Sequence, residues 1–488
     1  MDRHLCCGPH LPYCDRRALR DEWSSNLLIV AILACLAHVT PGQDANTITG
    51  LIEQASSAIV AILQQGPGGR VSVTSGAVIH QKGFILTTDL PIRGRQGLVL
   101  TGQAGLVPYQ VVGRLPEKDI CLLKMDLEGV PSTLRLGRSN GLVAGQDVLV
   151  AGNPGARGVV FVRSTIGNPT IAPSTDFALE VAGLGPDRMD RYIQINARLA
   201  ALTGGPVLDV EGNLIGIVTS RTTTEDGINL AVPVDRIRAF FYELLAPEER
   251  GGFWSGLEVG VLADGALVLY VEPDGPAAKA GLTAGDQILA VYGRQIRDGP
   301  DWLLALLGRS PGEAVVVSAA RQDKRRECTI TLQPYPQGPS YPRQGLSEGI
   351  WYAVFKGTFS SLPDLADLEP NSYGIAQTIG LAGLEGTDKE GFAVIFDGMV
   401  DIPRSGVYRI ILGSDDGSRL FVDGLPVIDN DGIHPYQEAA AVRRLGAGLH
   451  HLRLEYFQRS GLAELRLQIE PDNLAGDQSP IPLRLFCD

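Results

Sequence analysis

Between residues 71 and 245 the chain alternates short Val- and Ile-rich runs with clusters of Gly, Pro, Asn and Asp. Segments such as VSVTSGAVIHQKGFILTT, QDVLVAGNP and NLIGIVTS read as strands joined by tight turns, the pattern of an all-β barrel or sandwich. The pattern changes from Gly275 to Ile296, where GPAAKAGLTAGDQILAVYGRQI sets a glycine-punctuated helix before a turn and an apolar strand. Next comes PYPQGPSYPRQG (Pro334–Gly345), whose Pro and Gly content predicts a semi-rigid linker. Beyond it, Gly406–Glu438 alternates strands with Asp-Gly turns, and Gly446–Ile469 adds two more alternating strands.

Leu27–Val39 is a different kind of element, a single apolar run with no charge in it. It is shorter than the roughly 20 residues that span a bilayer and fits the apolar region of a secretory signal. Residues 1–45 are therefore expected to be a signal or anchor segment, and the protein to be exported to the periplasm, the cell surface or the medium. Asp2, Asp15, Asp21 and Glu22 offset Arg3, Arg16, Arg17 and Arg20, so the usual net positive start is missing. A start codon placed too early and an uncleaved short anchor would each account for this. Cys6, Cys7, Cys14 and Cys35 fall in that segment. Cys121, Cys328 and Cys487 are left, an odd and scattered set that implies no disulfide framework.

The 488 residues fit about three domains. Lys and Arg number 42 against 55 Asp and Glu, for a net charge of −13. Without a basic run, nucleic acid is excluded as an expected partner, because phosphate binding needs a positive field. Of the seven histidines, only His80 lies between residues 39 and 433.

Five segments, in order, resemble the trypsin-like module of the Deg/HtrA serine proteases. They are SGAVIHQKGFILTTDLPI (Ser75–Ile92), DICLLKMD (Asp119–Asp126), LGRSNGLVAGQDVLVAGNPG (Leu136–Gly155), TGGPVLDVEGNLIGIVTS (Thr203–Ser220) and GINLAVPVDRI (Gly227–Ile237). A serine nucleophile needs an imidazole to take its proton and a carboxylate to orient that imidazole. By resemblance Asp119 holds the carboxylate position, Leu90 stands where the family has histidine, and Thr203 replaces serine. Ala201 replaces a glycine that helps shape the oxyanion hole. His80 precedes Leu90 by ten residues and is expected on the hairpin surface, away from any triad. The expectation for 50–245 is a degenerate barrel, a pseudoprotease.

Residues 251–335 resemble the PDZ domains that follow this module in the Deg family. Such domains add an extended peptide to a sheet edge and hold its C-terminal carboxylate on backbone N–H groups. The resemblance puts the carboxylate loop at Trp254, Ser255, Gly256 and Leu257, and the groove helix near Asp301–Leu307. After a linker at 336–345, residues 346–488 resemble the protective-antigen-type lectin-like β-sandwich. In adhesins of that type paired aspartates and a nearby Asn or Asp hold Ca²⁺, which places a candidate site at Asp415, Asp416 and Asn430. Ordinary turn chemistry also explains these residues and is the preferred reading. His434, His450 and His451 lack the spacing of a metal site.

The fold class expected is multidomain and mainly β: a trypsin-like double β-barrel, an α+β PDZ domain and a C-terminal sandwich. The leading functional expectation is an exported, non-catalytic scaffold that binds peptide or protein C-termini and a glycan or envelope polysaccharide. Two alternatives stay open: an active Deg/HtrA-type serine endopeptidase of envelope quality control, and a cell-surface glycan-binding adhesin. Family resemblance also implies a homo-oligomer, and no cofactor beyond Ca²⁺ is called for.

Overall fold

The computed structural model describes residues 48–487 apart from 66–69, 103, 128–131, 172–190, 198–199, 220–228, 262–264, 323, 337, 340, 366–367, 388–390 and 473–479. The expected signal segment at 1–45 lies outside these residues. Among those described, no helix is long and apolar enough to cross a membrane.

Two six-stranded barrels follow one another. The first closes in the order Ile59–Gln65, Val71–His80, Phe84–Thr87, Ile120–Met125, Gly105–Leu115 and Gln96–Thr101. The second runs Pro206–Leu208, Leu214–Val218, Asn229–Pro233, Tyr192–Ile195, Val160–Ile171 and Asp147–Gly152. Closure leaves no unpaired edge, and the Val, Ile and Leu runs line the interiors. The short strands of the sequence pattern are thus the staves of a double barrel.

A second sheet follows, ordered Leu257–Val259, Ala266–Val271, Gln287–Val291, Ala314–Arg321 and Lys324–Thr331, with the helix Gly299–Leu306 against it. Asp298 caps that helix by accepting the Asp301 N–H at 3.0 Å. The C-terminal domain sets an eight-stranded sheet against three strands, Gln437–Leu445, Gly406–Asp415 and Glu464–Pro471. Tyr352, Phe396, Ile410, Leu454 and Leu467 from the two sheets share one core.

The short helix Pro247–Gly251 joins the three domains. Arg250 Nε pairs with Asp472 Oδ2 of the C-terminal domain at 2.7 Å, while its Nη1 donates to the carbonyls of Val112, Leu244 and Leu245. Glu249 accepts from the hydroxyls of Tyr242 and Tyr335, and Arg444 Nε donates to the Glu249 carbonyl at 2.7 Å. Gly113 of the first barrel has to be glycine, because a Cβ there would meet the Leu244 carbonyl oxygen at 1.9 Å.

Asp472→Ala should leave the Arg250 guanidinium without its counter-charge and lower stability by about 2 kcal/mol. Thermal unfolding of the full chain measures this, and an unchanged midpoint would show that the pair does not hold the domains.

Candidate functional site

Asp119 and Thr203, two of the positions that the sequence resemblance assigns to a triad, are each held by bonds between the two barrels, and Leu90 is tied to Asp119. Asp119 follows a single 3₁₀ turn, Pro116–Lys118, in left-handed backbone conformation (φ 52°), and is 1% exposed. Its Oδ1 accepts the N–H groups of Asp89 at 3.0 Å and Leu90 at 3.1 Å, and its Oδ2 accepts the Thr219 hydroxyl at 2.5 Å. The carboxylate therefore fixes the backbone at Asp89 and Leu90. Asp89 itself is clamped by Arg114 through bonds of 2.6 and 2.9 Å. Leu90, held by this frame, is 68% exposed and offers no proton acceptor.

The Thr203 loop is fixed from the other side. Its carbonyl accepts the Ser75 N–H and the Thr74 hydroxyl, each at 2.9 Å. Gly204 has φ 79°, and a Cβ there would stand 2.3 Å from the Ser75 carbonyl oxygen, so the loop backbone demands glycine. Ala201 is exposed in the 3₁₀ turn Ala200–Leu202.

His80 departs from the surface position expected of it. It is half-buried at the end of Val71–His80, its Nδ1 accepts the Lys82 N–H at 3.1 Å, and its ring meets Phe84 edge-on at 5.8 Å. Burial pushes its pKa down to about 4, in the field of Asp301, Lys82 and Arg297. Two of these charges come from the PDZ domain, Asp301 in the first turn of its helix and Arg297 just before it, which explains why reading the hairpin alone put the residue in solvent.

At the second candidate site, Trp254 pairs with Gln333, and Gly256 has φ 67° and accepts the Glu272 N–H at 2.9 Å. Leu257 opens the edge strand, which pairs only with Ala266–Val271 among the described residues. Ser255 is fully buried and gives both its N–H and its hydroxyl to Glu248, so that N–H is already taken. Burial pushes the Glu248 carboxyl up to about 8.

At the third, Asp415 ends the strand Gly406–Asp415 and Asp416 follows it. Asp416 accepts the N–H groups of His434 at 3.2 Å and Arg459 at 2.9 Å. Burial, and then the Asp416 charge, push the Asp415 carboxyl up to about 7. Asn430 donates to Ser414 Oγ at 3.0 Å and accepts from Gln437 Nε2 at 3.0 Å. His434 is buried, with its ring nitrogens on the carbonyls of Pro435 and Asn430. His450 bonds Asp423 and His451 bonds Asp397.

Family models match three stretches: a trypsin-like peptidase domain over 74–217, a PDZ domain over 255–332 and a PA14 domain over 342–480. The chain is a trypsin-like peptidase module joined to PDZ and PA14 domains. Its homologues are DegP-like serine endoproteases. A probable periplasmic serine endoprotease DegP-like from Halomonas elongata is 29% identical over 55% of this chain and 57% of its own length. One of the same description from Ectopseudomonas mendocina is 27% identical over 59% of this chain and 63% of its own. The chain thus spans less than two thirds of either relative. Among solved structures, the HtrA-type protease AlgW with tripeptide is 26% identical over 61% of this chain and 99% of that one, with a TM-score of 0.35.

Sequence reading missed Thr219, Arg114 and Glu248. Thr219 lies inside the NLIGIVTS segment, so a polar residue at the end of a buried strand was its one available signal.

Asp119→Ala should strand two backbone N–H groups and the Thr219 hydroxyl, costing about 3 kcal/mol, with Asp119→Asn recovering part. Chemical denaturation of the two variants measures it; equal stability to the parent would refute the framing role.

Proposed function

We propose that the chain is an exported, non-catalytic scaffold whose barrel keeps the frame of a serine protease without its proton relay, with a PDZ domain for peptide termini and a PA14 domain for glycan. One observation carries the reading. Asp119 still orders the backbone of Asp89 and Leu90, yet the side chain that this order presents is an exposed leucine. An aliphatic group cannot accept the proton of a hydroxyl nucleophile. Thr203 adds a β-methyl that restricts the rotation of its own hydroxyl.

An active endopeptidase is the second reading, and the intact frame favours it. The carboxylate, the Thr219 hydroxyl and the paired glycines 204 and 205 are in place, so a base supplied from another chain would meet a prepared site. Curated relatives carry the name of serine endoproteases. Full-length protein should neither cleave unfolded casein nor react with a fluorophosphonate probe. Labelling or cleavage that Thr203→Ala abolishes would overturn the scaffold reading. Leu90→His combined with Thr203→Ser tests whether the barrel is otherwise competent.

In the PDZ domain, the edge strand Leu257–Val259 and the helix Gly299–Leu306 are the elements that would flank an added peptide strand. Trp254, Gly256 and Leu257 stay candidates for its carboxylate, with Ser255 committed to Glu248.

In the PA14 domain, Asp415 and Asp416 suit a hard cation. Among the described residues neither carboxylate has a Lys or Arg partner; burial disfavours both ionised forms, and the Asp416 charge adds to this at Asp415. Bound Ca²⁺ would supply the charge to which sugar hydroxyls coordinate, and the two carboxylates would orient it. Asp416 would do so while held by the N–H groups of His434 and Arg459.

Adding Ca²⁺ at a hundredfold excess over its Kd should stabilise the chain by about 2.7 kcal/mol, an effect that chelation reverses and Asp415→Asn with Asp416→Asn removes. A melting curve indifferent to Ca²⁺ would leave the turn reading alone.

A further inference from the structure

A cleft of about 1140 Å³ lies between the second barrel and the PDZ domain. Six arginines line it, against the carboxylates of Asp209, Asp298 and Glu327. In a chain with a net charge of −13 this is an unusual concentration of positive charge.

Four of the arginines are already committed. Arg238 pairs with Asp298 at 3.1 Å, Arg297 with Asp301 at 2.7 Å, Arg326 with Asp286 at 2.7 Å, and Arg138 lies 3.6 Å from Asp235. The Arg238–Asp298 pair runs from barrel helix to PDZ helix cap and so ties the two walls together. Asp209 is occupied with its own turn, accepting the N–H groups of Glu211 and Asn213.

Arg135 on the barrel wall and Arg325 on the PDZ wall differ from the rest. Both are exposed and neither forms an ion pair among the described residues. Among the described residues two lining carboxylates have no cationic partner: Asp209, which its own turn occupies, and the exposed Glu327, two residues from Arg325 on the same strand. Between the charges the lining mixes amides and a hydroxyl, from Asn213, Gln287, Gln295 and Ser318, with the apolar side chains of Leu136, Leu289 and Ile296. Among the described residues no aromatic side chain lines the cleft, so they offer no platform for a stacked base.

We infer that the barrel–PDZ cleft binds a small multivalent oxyanion, phosphate- or carboxylate-bearing, gripped by Arg135 on one wall and Arg325 on the other. Guanidinium forks match both oxyanions bidentately, and the amides and hydroxyl can take remaining oxygens. Because the ligand would touch both domains, it would bind their joined arrangement rather than either alone.

Calorimetric titration of the full-length protein with inorganic pyrophosphate and, separately, with citrate tests this. Saturable binding of either, weakening as salt rises, is expected; which of the two binds more tightly separates a phosphate from a carboxylate ligand. Replacing Arg135 or Arg325 by Gln should each cost roughly tenfold in affinity. Glu327→Gln should tighten binding severalfold by removing the opposing charge. Arg163→Gln, at an exposed arginine already paired with Asp147, should change nothing. Both cleft arginines are exposed, so an unchanged melting midpoint is expected for the double variant and checks that it is folded. Absence of saturable binding to both anions, or a folded double variant that binds like the parent, would overturn the inference.

Discussion

Arg250 is the residue on which the arrangement of domains depends. Its guanidinium reaches three backbone carbonyls of the barrel side and one carboxylate of the C-terminal domain at once, from a helix only five residues long. A half-buried cation with this many acceptors around it needs each acceptor to arrive with its domain correctly placed. Glu249 works in the opposite sense, collecting the hydroxyls of Tyr242 and Tyr335 and lying 3.7 Å from Arg443. Neither side chain is satisfied within a single domain, which makes their burial a condition on assembly rather than on any one fold.

The barrel holds Asp119 in place for reasons that do not depend on catalysis. Its carboxylate has two backbone N–H groups and a hydroxyl to satisfy, so its position in the frame follows from structure alone. The same holds for Gly204, where the nearness of the Ser75 carbonyl leaves no room for a side chain whatever stands at 203.

Much of this was legible in the sequence. Strand periodicity and turn chemistry pointed to a mainly β chain, while the double barrel, the PDZ domain and the C-terminal sandwich came from resemblance to known families, as did the expectation that Leu90 and Thr203 stand at the histidine and serine positions. What could not be read were the partners that come from afar. His80 looked like a hairpin residue because the charges around it, Asp301 and Arg297, are more than two hundred positions away. Ser255 looked available to a ligand because nothing in WSGL reveals that Glu248 folds back onto it. His434, dismissed for lack of metal spacing, is a buried organiser of the loop that holds Asp416. Local pattern reports the face a residue presents; it does not report which distant element comes to cover that face.

The tie through Pro247–Gly251 also bears on affinity. Two binding modules on a loose tether sample many separations, and their joint avidity falls as the tether lengthens. Here the edge strand Leu257–Val259 and the PA14 domain belong to parts of the chain that the Arg250–Asp472 and Arg444–Glu249 bonds tie together across the 336–345 linker. On the proposed function such a frame acts as a ruler: a surface that presents peptide ends and sugars at the matching spacing would be held by both modules at once. A surface with the same groups at another spacing would engage only one of them.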